Sequence, residues 1–312
     1  MKPTSIIFIL ISLIIILVGW LICRSAETTA AIDGVELFAS TLDENEDLKN
    51  EVTFSADEVY NKFELVVSEA DIYIFGGYPT PYMELYNFDD GSYRMTTANR
   101  SVTVDTTIDI MSIIKFWESG FSFRGFRDFF HRGGQSIEAA KRINLYLPSD
   151  SDVNVVKVTL GKGNIYVSNF DTSIDITLDI GTGNALFTQF RTLSQISVDI
   201  NDGNLYMHDV SVGTLDALLS HGDITGETFS FDNVNISGSE TNVSLSLQHD
   251  VRDFNMNLSA RHGSIILFDD DIGSNYTHEA PGDSRVFVTV TSGNILINRE
   301  QAAGTIQDGG EE

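Results

Sequence analysis

Gly161-Lys162-Gly163-Asn164-Ile165 is followed by Gly181-Thr182-Gly183-Asn184-Ala185 and then by Asn201-Asp202-Gly203-Asn204-Leu205. The string returns as Ser220-His221-Gly222-Asp223-Ile224. It is weaker at Ser239-Glu240-Thr241-Asn242-Val243 and Arg261-His262-Gly263-Ser264-Ile265, and clean again at Ser292-Gly293-Asn294-Ile295. Counted at the glycine or its replacement (163, 183, 203, 222, 241, 263, 293), the steps are 20, 20, 19, 19, 22 and 30 residues. A fixed period of this size marks a repeat architecture.

Strict alternation precedes each clean copy. Val156, Val158 and Leu160 lead into the first, Ile176, Leu178 and Ile180 into the second, and Ile196, Val198 and Ile200 into the third. Leu215, Ala217 and Leu219 precede the fourth, and Val286, Val288 and Val290 the last. Period-two spacing of aliphatic side chains describes a strand with one buried face. Glycine then supplies the backbone freedom to turn a corner. Beyond the corner, Ile165 and Val167, Leu205 and Met207, and Ile295 and Ile297 start a second inward face, and Phe170, Phe190, Val210 and Phe229 share one later position. A twenty-residue unit cannot bury its own stripe, but stacked units bury a continuous one. The expected fold is all-β: a parallel β-solenoid of about 7–8 coils with ~20-residue repeats.

The residue after the reference glycine runs Asn164, Asn184, Asn204, Asp223, Asn242, Ser264 and Asn294, a column suited to side-chain hydrogen bonding between stacked parallel strands. Residues 63–74 fit the same template. Phe63, Leu65 and Val67 stand at the inward positions, Ala70 replaces the glycine and Asp71 the asparagine, so this reads as a first coil cut off from the others. Strands are expected around 82–88 and 93–106, joined at Asp89-Asp90-Gly91.

Residues 6–23 carry no charge and, as a helix, span about 27 Å, close to the hydrocarbon core of a bilayer. Lys2 precedes the segment, and Glu27, Asp33 and Glu36 follow Arg24, a weak bias toward an internal N-terminus. One N-terminal transmembrane helix acting as a signal-anchor is therefore expected. A cleaved signal peptide is the competing reading, with a first small-x-small site at Thr29-Ala30-Ala31. Either way the rest is expected to be extracytoplasmic. The 312 residues carry 19 Lys+Arg against 45 Asp+Glu, a net charge of −26, which argues against nucleic-acid binding. A single cysteine excludes a disulfide framework and a Cys-based zinc site.

Residues 115–132 depart from this composition. Phe116, Trp117, Phe121, Phe123, Phe126, Phe129 and Phe130 interleave with Lys115, Arg124, Arg127, His131 and Arg132, and residues 111–142 hold six Lys/Arg against three Asp/Glu. One reading is an apolar plug closing the open end of the solenoid. The other is an interaction patch for lipid headgroups, an envelope polymer or a membrane-protein partner.

A membrane segment, Ile143-Asn144-Leu145-Tyr146-Leu147-Pro148, and G-x-G-[ND]-[IL] coils in that order resemble the putative-adhesin β-strand-repeat family, a bacterial cell-envelope domain of unknown function. The resemblance spans roughly residues 60–299. It implies the solenoid architecture, a place in the cell envelope and a loose link to envelope-stress response, and it supplies no catalytic residues. The aromatic-basic insertion and the weakened coils near 239–241 and 269–271 depart from the family pattern.

No phosphate-binding loop, dinucleotide fingerprint, zincin or EF-hand string is present. Stacking the repeats in chain order aligns Asp202, His221, Glu240 and His262 as a candidate metal column. Four coils span about 14 Å, too far for one ion to reach all four. Asp179 and Asp199 stack as a candidate acid pair, but the cations that a polysaccharide-cleaving solenoid places beside its carboxylates are few. No cofactor is expected. The organisation reads as an anchor (1–26), an acidic stalk (27–60), a lead-in β region (61–150) carrying the insertion (111–142), the repeat domain (151–299) and a disordered acidic tail (300–312). The function read from this is a single-pass, membrane-anchored, non-enzymatic interaction or structural protein. The alternatives are a carbohydrate-active solenoid enzyme and a metal-dependent binding module.

Overall fold

The structure is a computed structural model that describes residues 49–54, 59–88, 93–106, 141–148, 153–247 and 253–299. The apolar segment 6–23, the aromatic-basic stretch 115–132 and the tail lie outside the described residues, among which no helix is long and apolar enough to cross a membrane.

Among the described residues all the elements are strands. In chain order they are β1 (Lys49–Thr53), β2 (Lys62–Glu69), β3 (Asp71–Tyr78), β4 (Tyr82–Tyr86), β5 (Arg94–Ala98), β6 (Ser101–Asp105), β7 (Arg142–Pro148), β8 (Val155–Lys162) and β9 (Ile165–Asp171). There follow β10 (Asp175–Thr182), β11 (Ala185–Asp202), β12 (Leu205–Leu247), β13 (Asn255–His262), β14 (Ile265–Leu267), β15 (Asp270–Gly273), β16 (Asn275–His278), β17 (Arg285–Ser292) and β18 (Ile295–Arg299). β11 and β12 run through several corners without losing extended pairing, so one hydrogen-bonded sheet winds around the core.

Parallel ladders place the inward positions on top of one another. Val156 pairs with Ile176, Ile176 with Ile196 and Ile196 with Leu215; Val158, Leu178, Val198 and Ala217 form the next column. Each of these side chains is buried. Burying one aliphatic side chain is worth about 1.5–3 kcal/mol, so the stack is held chiefly by these columns. Phe190 pairs with Phe170 below and Val210 above, again buried.

Two corners repeat along the stack. At the first, Gly163, Gly183, Gly203, Gly222 and Gly293 have φ between 133° and 151°. A Cβ on Gly183 would fall on the carbonyl oxygen of Gly163, so both backbone angle and approach require glycine. At the second corner Asn169, Gln189, Asp209 and Thr228 take φ of 61°, 50°, 53° and 52°. A left-handed non-glycine residue costs roughly 1–2 kcal/mol. The next residue (Phe170, Phe190, Val210 or Phe229) is buried, and its burial offsets that strain.

The segment read as an isolated first coil is integral to the stack. β2 pairs in parallel with β8 (Phe63 with Val156, Leu65 with Val158, Val67 with Leu160), and β3 pairs with β9. The chain then moves outward, so β6 stacks on the far side of β2 and β7 on the far side of β3. β4 closes antiparallel on β7, and β1 on β4. The single strand expected at 93–106 is a hairpin of β5 and β6 that turns at Asn99 and Arg100, with φ of 52° and 62°.

The carboxy-terminal end uses the same device. Asn233–Glu240 of β12 pairs with β17, and β17 pairs with β13, so the last coil in sequence lies between two earlier ones. Before returning, the chain forms β15 antiparallel to β14 and β16 antiparallel to β13. That hairpin accounts for the long final step of 30 residues. Sequence order and stacking order therefore differ at both ends.

Candidate functional site

The asparagine column forms a continuous hydrogen-bonded ladder. The backbone N–H and Nδ2 of Asn164 both donate to Asp71 Oδ1, at 2.9 and 3.0 Å. Asn184 donates in the same way to Asn164, and Asn204 to Asn184, at 3.0–3.1 Å. The Asp223 N–H donates to Asn204, Asn242 Nδ2 to Asp223, and the Asn294 N–H to Asn242. Ser264 ends the ladder on Asn294, not on Asn242, following the inserted coil. The column's chemistry is used up internally, which makes it a structural spine.

The candidate metal column is interrupted. Asp202 pairs with His221, but Glu240 and His262 each pair with Ser292, which stands between them. Asp202, His221, Glu240 and His262 are exposed, and His221 Nδ1 lies 3.3 Å from the Asn201 carbonyl oxygen. Among the described residues no three His, Cys, Asp or Glu side chains gather closely enough to hold one ion. Chain-order stacking had made neighbours of Glu240 and His262, and the insertion of β17 separates them.

Asp179 and Asp199 do pair. Burial, and secondarily the Asp179 carboxylate, push the Asp199 carboxyl above its usual range. Among the described residues no cation lies within salt-bridge distance of either. The candidate patch residues Phe116, Trp117, Phe121, Phe123, Arg124, Phe126, Arg127, Phe129, Phe130 and Arg132 lie outside the described residues.

Two further features emerge from packing. The first is an aromatic face on the amino-terminal coils. Tyr73 stacks on Tyr166 at 4.5 Å, Phe75 on Tyr146 at 5.2 Å and Tyr82 on Tyr146 at 4.2 Å. Beneath them Glu84, 7% exposed, accepts from the hydroxyls of Tyr86 and Tyr146 at 2.8 and 3.0 Å and from Asn144 Nδ2 at 3.2 Å. Burial, followed by the Glu84 hydrogen bond, raises the Tyr146 phenol well above its ordinary value. The signal was present as aromatic and polar residues two apart in each strand. Only the antiparallel β4–β7 pairing brings the two sets together.

The second is a groove of about 640 Å³ beside the second corner of the carboxy-terminal coils, lined by Glu227, Ser246, Phe268, Asp269, Asn298 and Arg299 among others. It opens where the chain reverses. Phe268 and Asp269 take φ of 51° and 69° and lead into antiparallel β15, whereas Thr228 turns into the buried Phe229. His208 Nδ1 lies 3.5 Å from the carboxylate of Glu227, one of the lining residues.

These features define an all-β repeat protein of stacked parallel coils capped by antiparallel strands at both ends. The chain belongs to the Toastrack DUF4097 family, which it matches over residues 94–307. The match starts at the first residue of β5, so the coil of β2 and β3 lies outside it although it stacks within the same ladder. Among curated proteins none matches the chain. Among solved structures it is similar to a putative adhesin from Bacteroides fragilis, at 8% identity and a TM-score of 0.40 over 80% of this chain and 96% of that one. It is also similar to a putative lipid binding protein from Parabacteroides distasonis, at 12% identity and 0.40 over 81% and 96%. A third is a putative cell adhesion protein from Clostridium sporogenes, at 12% and 0.36 over 81% and 99%. At these TM-scores nothing of their function carries over.

Proposed function

We propose that this chain is a non-enzymatic interaction module of the bacterial cell envelope, held at the membrane by residues 6–23 with the repeat domain outside, and accessory to envelope-stress response. The observation that carries the non-enzymatic part is the fate of its outward polar groups. The amide column is consumed coil to coil, and the one stacked acid pair has no cation beside it among the described residues. Polysaccharide cleavage of the kind expected from a carboxylate pair needs a proton donor and an activated partner in reach.

The aromatic and basic residues of 115–132 suit an anionic lipid surface, where rings enter the interface and cations meet headgroups. Of the stretch 27–60 read as a stalk, β1, Phe54 and Tyr60 belong to the domain, with β1 on β4 and both rings buried, which leaves residues 27–48 as the tether that would keep it close enough for that contact. In whole cells, externally added protease is expected to degrade the domain and leave the amino-terminal segment. A mature chain beginning after Ala26 or Ala31 would remove the anchor. Replacing Phe121, Phe126 and Phe130 with Ser is expected to abolish binding to anionic vesicles without a large fall in melting temperature. A collapse in melting temperature, with no vesicle binding by the wild type, would make the stretch a core plug. Release of products from envelope polysaccharides would instead favour the enzyme reading.

A further inference from the structure

We infer that the groove between the carboxy-terminal coils is a binding site for one unit of a neutral saccharide. Its volume of about 640 Å³ falls in the size range of small-ligand clefts. Phe268, 38% exposed, supplies the only aromatic ring in its lining among the described residues. Phe268 N–H donates to the Ile297 carbonyl oxygen, which fixes this residue beside the last coil. The same register position carries Tyr146 and Phe75 in the amino-terminal coils and Ser168, Thr188 and His208 in the middle ones, so an aromatic ring returns to the column only at Phe268.

Around that ring stand an amide, a hydroxyl and charged groups with bonding capacity to spare. In the corner ladder each amide is taken up by the next coil. In the groove, among the described residues, the side chains of Asn298, Ser246, Asp269 and Arg299 make no hydrogen bond or ion pair. A pyranose ring has a face of C–H groups and a rim of hydroxyls that both donate and accept. An aromatic face with a mixed donor and acceptor rim matches both parts. Hydroxyl recognition of this kind is selective, because a ligand lacking the hydroxyl leaves polar groups unpaired.

Charge sets the class of sugar. Glu227 and Asp269 outnumber Arg299 in the groove, and the chain as a whole carries −26. A polyanionic glycan would be repelled at long range. A neutral one is unaffected. The site does not depend on the lipid-docking segment, and its failure would leave the envelope reading intact.

The test is calorimetric titration of the full chain in phosphatidylcholine nanodiscs, which avoids sugar-headed detergents. The probes are maltohexaose, cellohexaose and an oligogalacturonate. One neutral oligosaccharide is expected to bind at millimolar concentration or tighter, and Phe268→Ala and Asn298→Ala are each expected to weaken it at least about tenfold. Tyr206→Ala, which removes an exposed ring outside the groove, should leave affinity unchanged, and all three variants should keep the wild-type melting temperature. The absence of binding by both neutral probes would overturn the site. So would binding insensitive to the groove variants, or preference for the oligogalacturonate that is lost in Arg299→Ala.

Discussion

Thr241 fills the space that Gly238 leaves empty. A Cβ placed on Gly238 would lie 2.5 Å from Thr241 Cβ and 2.6 Å from its Oγ1. Gly238 stands opposite Val290, at an inward position that other coils fill with Leu160, Ile180 or Ile200, and Thr241 stands where they have glycine. Thr241 is 1% exposed and its hydroxyl donates to the Leu219 carbonyl oxygen at 3.3 Å. The coil that looked degenerate in sequence has exchanged glycine and side chain.

The exchange should show as coupling. Gly238→Val alone clashes with Thr241 and should cost about 1–3 kcal/mol. Thr241→Gly alone leaves a void and an unmet Leu219 carbonyl and should destabilise by a similar amount. The double variant restores the arrangement of Val290 and Gly293, and should be more stable than the sum of the singles by about 1 kcal/mol or more. Additive effects in urea unfolding would show that the two residues do not share one space.

Val198 is buried and Lys157 faces solvent. Val198→Asp places an unpaired carboxylate in the core and should cost several kcal/mol. Lys157→Asp, which sets a carboxylate opposite Glu64 at the surface, should cost about 1 kcal/mol or less. Equal shifts in melting temperature would contradict the inward and outward assignment.

Asn184 gives two hydrogen bonds to Asn164 and receives two from Asn204, while Ser264 stands at the end of the ladder. Asn184→Ala should therefore destabilise by about 1–3 kcal/mol, and Ser264→Ala by less. A larger loss at Ser264 would mean that the ladder's interior adds nothing to its ends.

Asp199 and Glu64 should respond to pH in opposite senses. The folded-state pKa of Asp199 lies above the unfolded one, so stability falls as pH rises from the unfolded value through the folded value, and the loss is complete above it. Asp199→Asn should stabilise at neutral pH and have no such benefit below the carboxylate range. The hydrogen bond from Lys62 is the main cause holding Glu64 below its usual range, against opposing desolvation. Its contribution is present above the unfolded pKa and lost as pH falls through the folded one, so Glu64→Gln should destabilise at neutral pH only. Melting temperature measured from acid to neutral pH checks both; parallel profiles for the two variants would contradict the assignment.

Removing residues 285–299 takes out an interior coil, because β17 and β18 pair with strands on both sides. The shortened chain should expose two unpaired strand edges and self-associate. A stable monomer by light scattering would argue against the inserted position.

The sequence by itself determined the coil. Alternation at Val156, Val158 and Leu160, glycine at 163 and an amide at 164 are local signals, because a strand's buried face and a corner's backbone angle depend on the residues that form them. Those signals extended correctly to Phe63, Leu65, Val67 and Asp71, whose pairings with the coil of β8 and β9 follow the same register. Only the tertiary structure decided the order of the coils. Every coil offers the same row of backbone donors and acceptors at its edge, so pairing β17 with β13 rather than β13 with β12 leaves no mark in periodicity. The separation of Glu240 from His262, the burial of Glu84 against Asn144 and the groove beside Phe268 all follow from that choice of neighbours. Strand edges are chemically alike, and it is the packing of whole coils that distinguishes them.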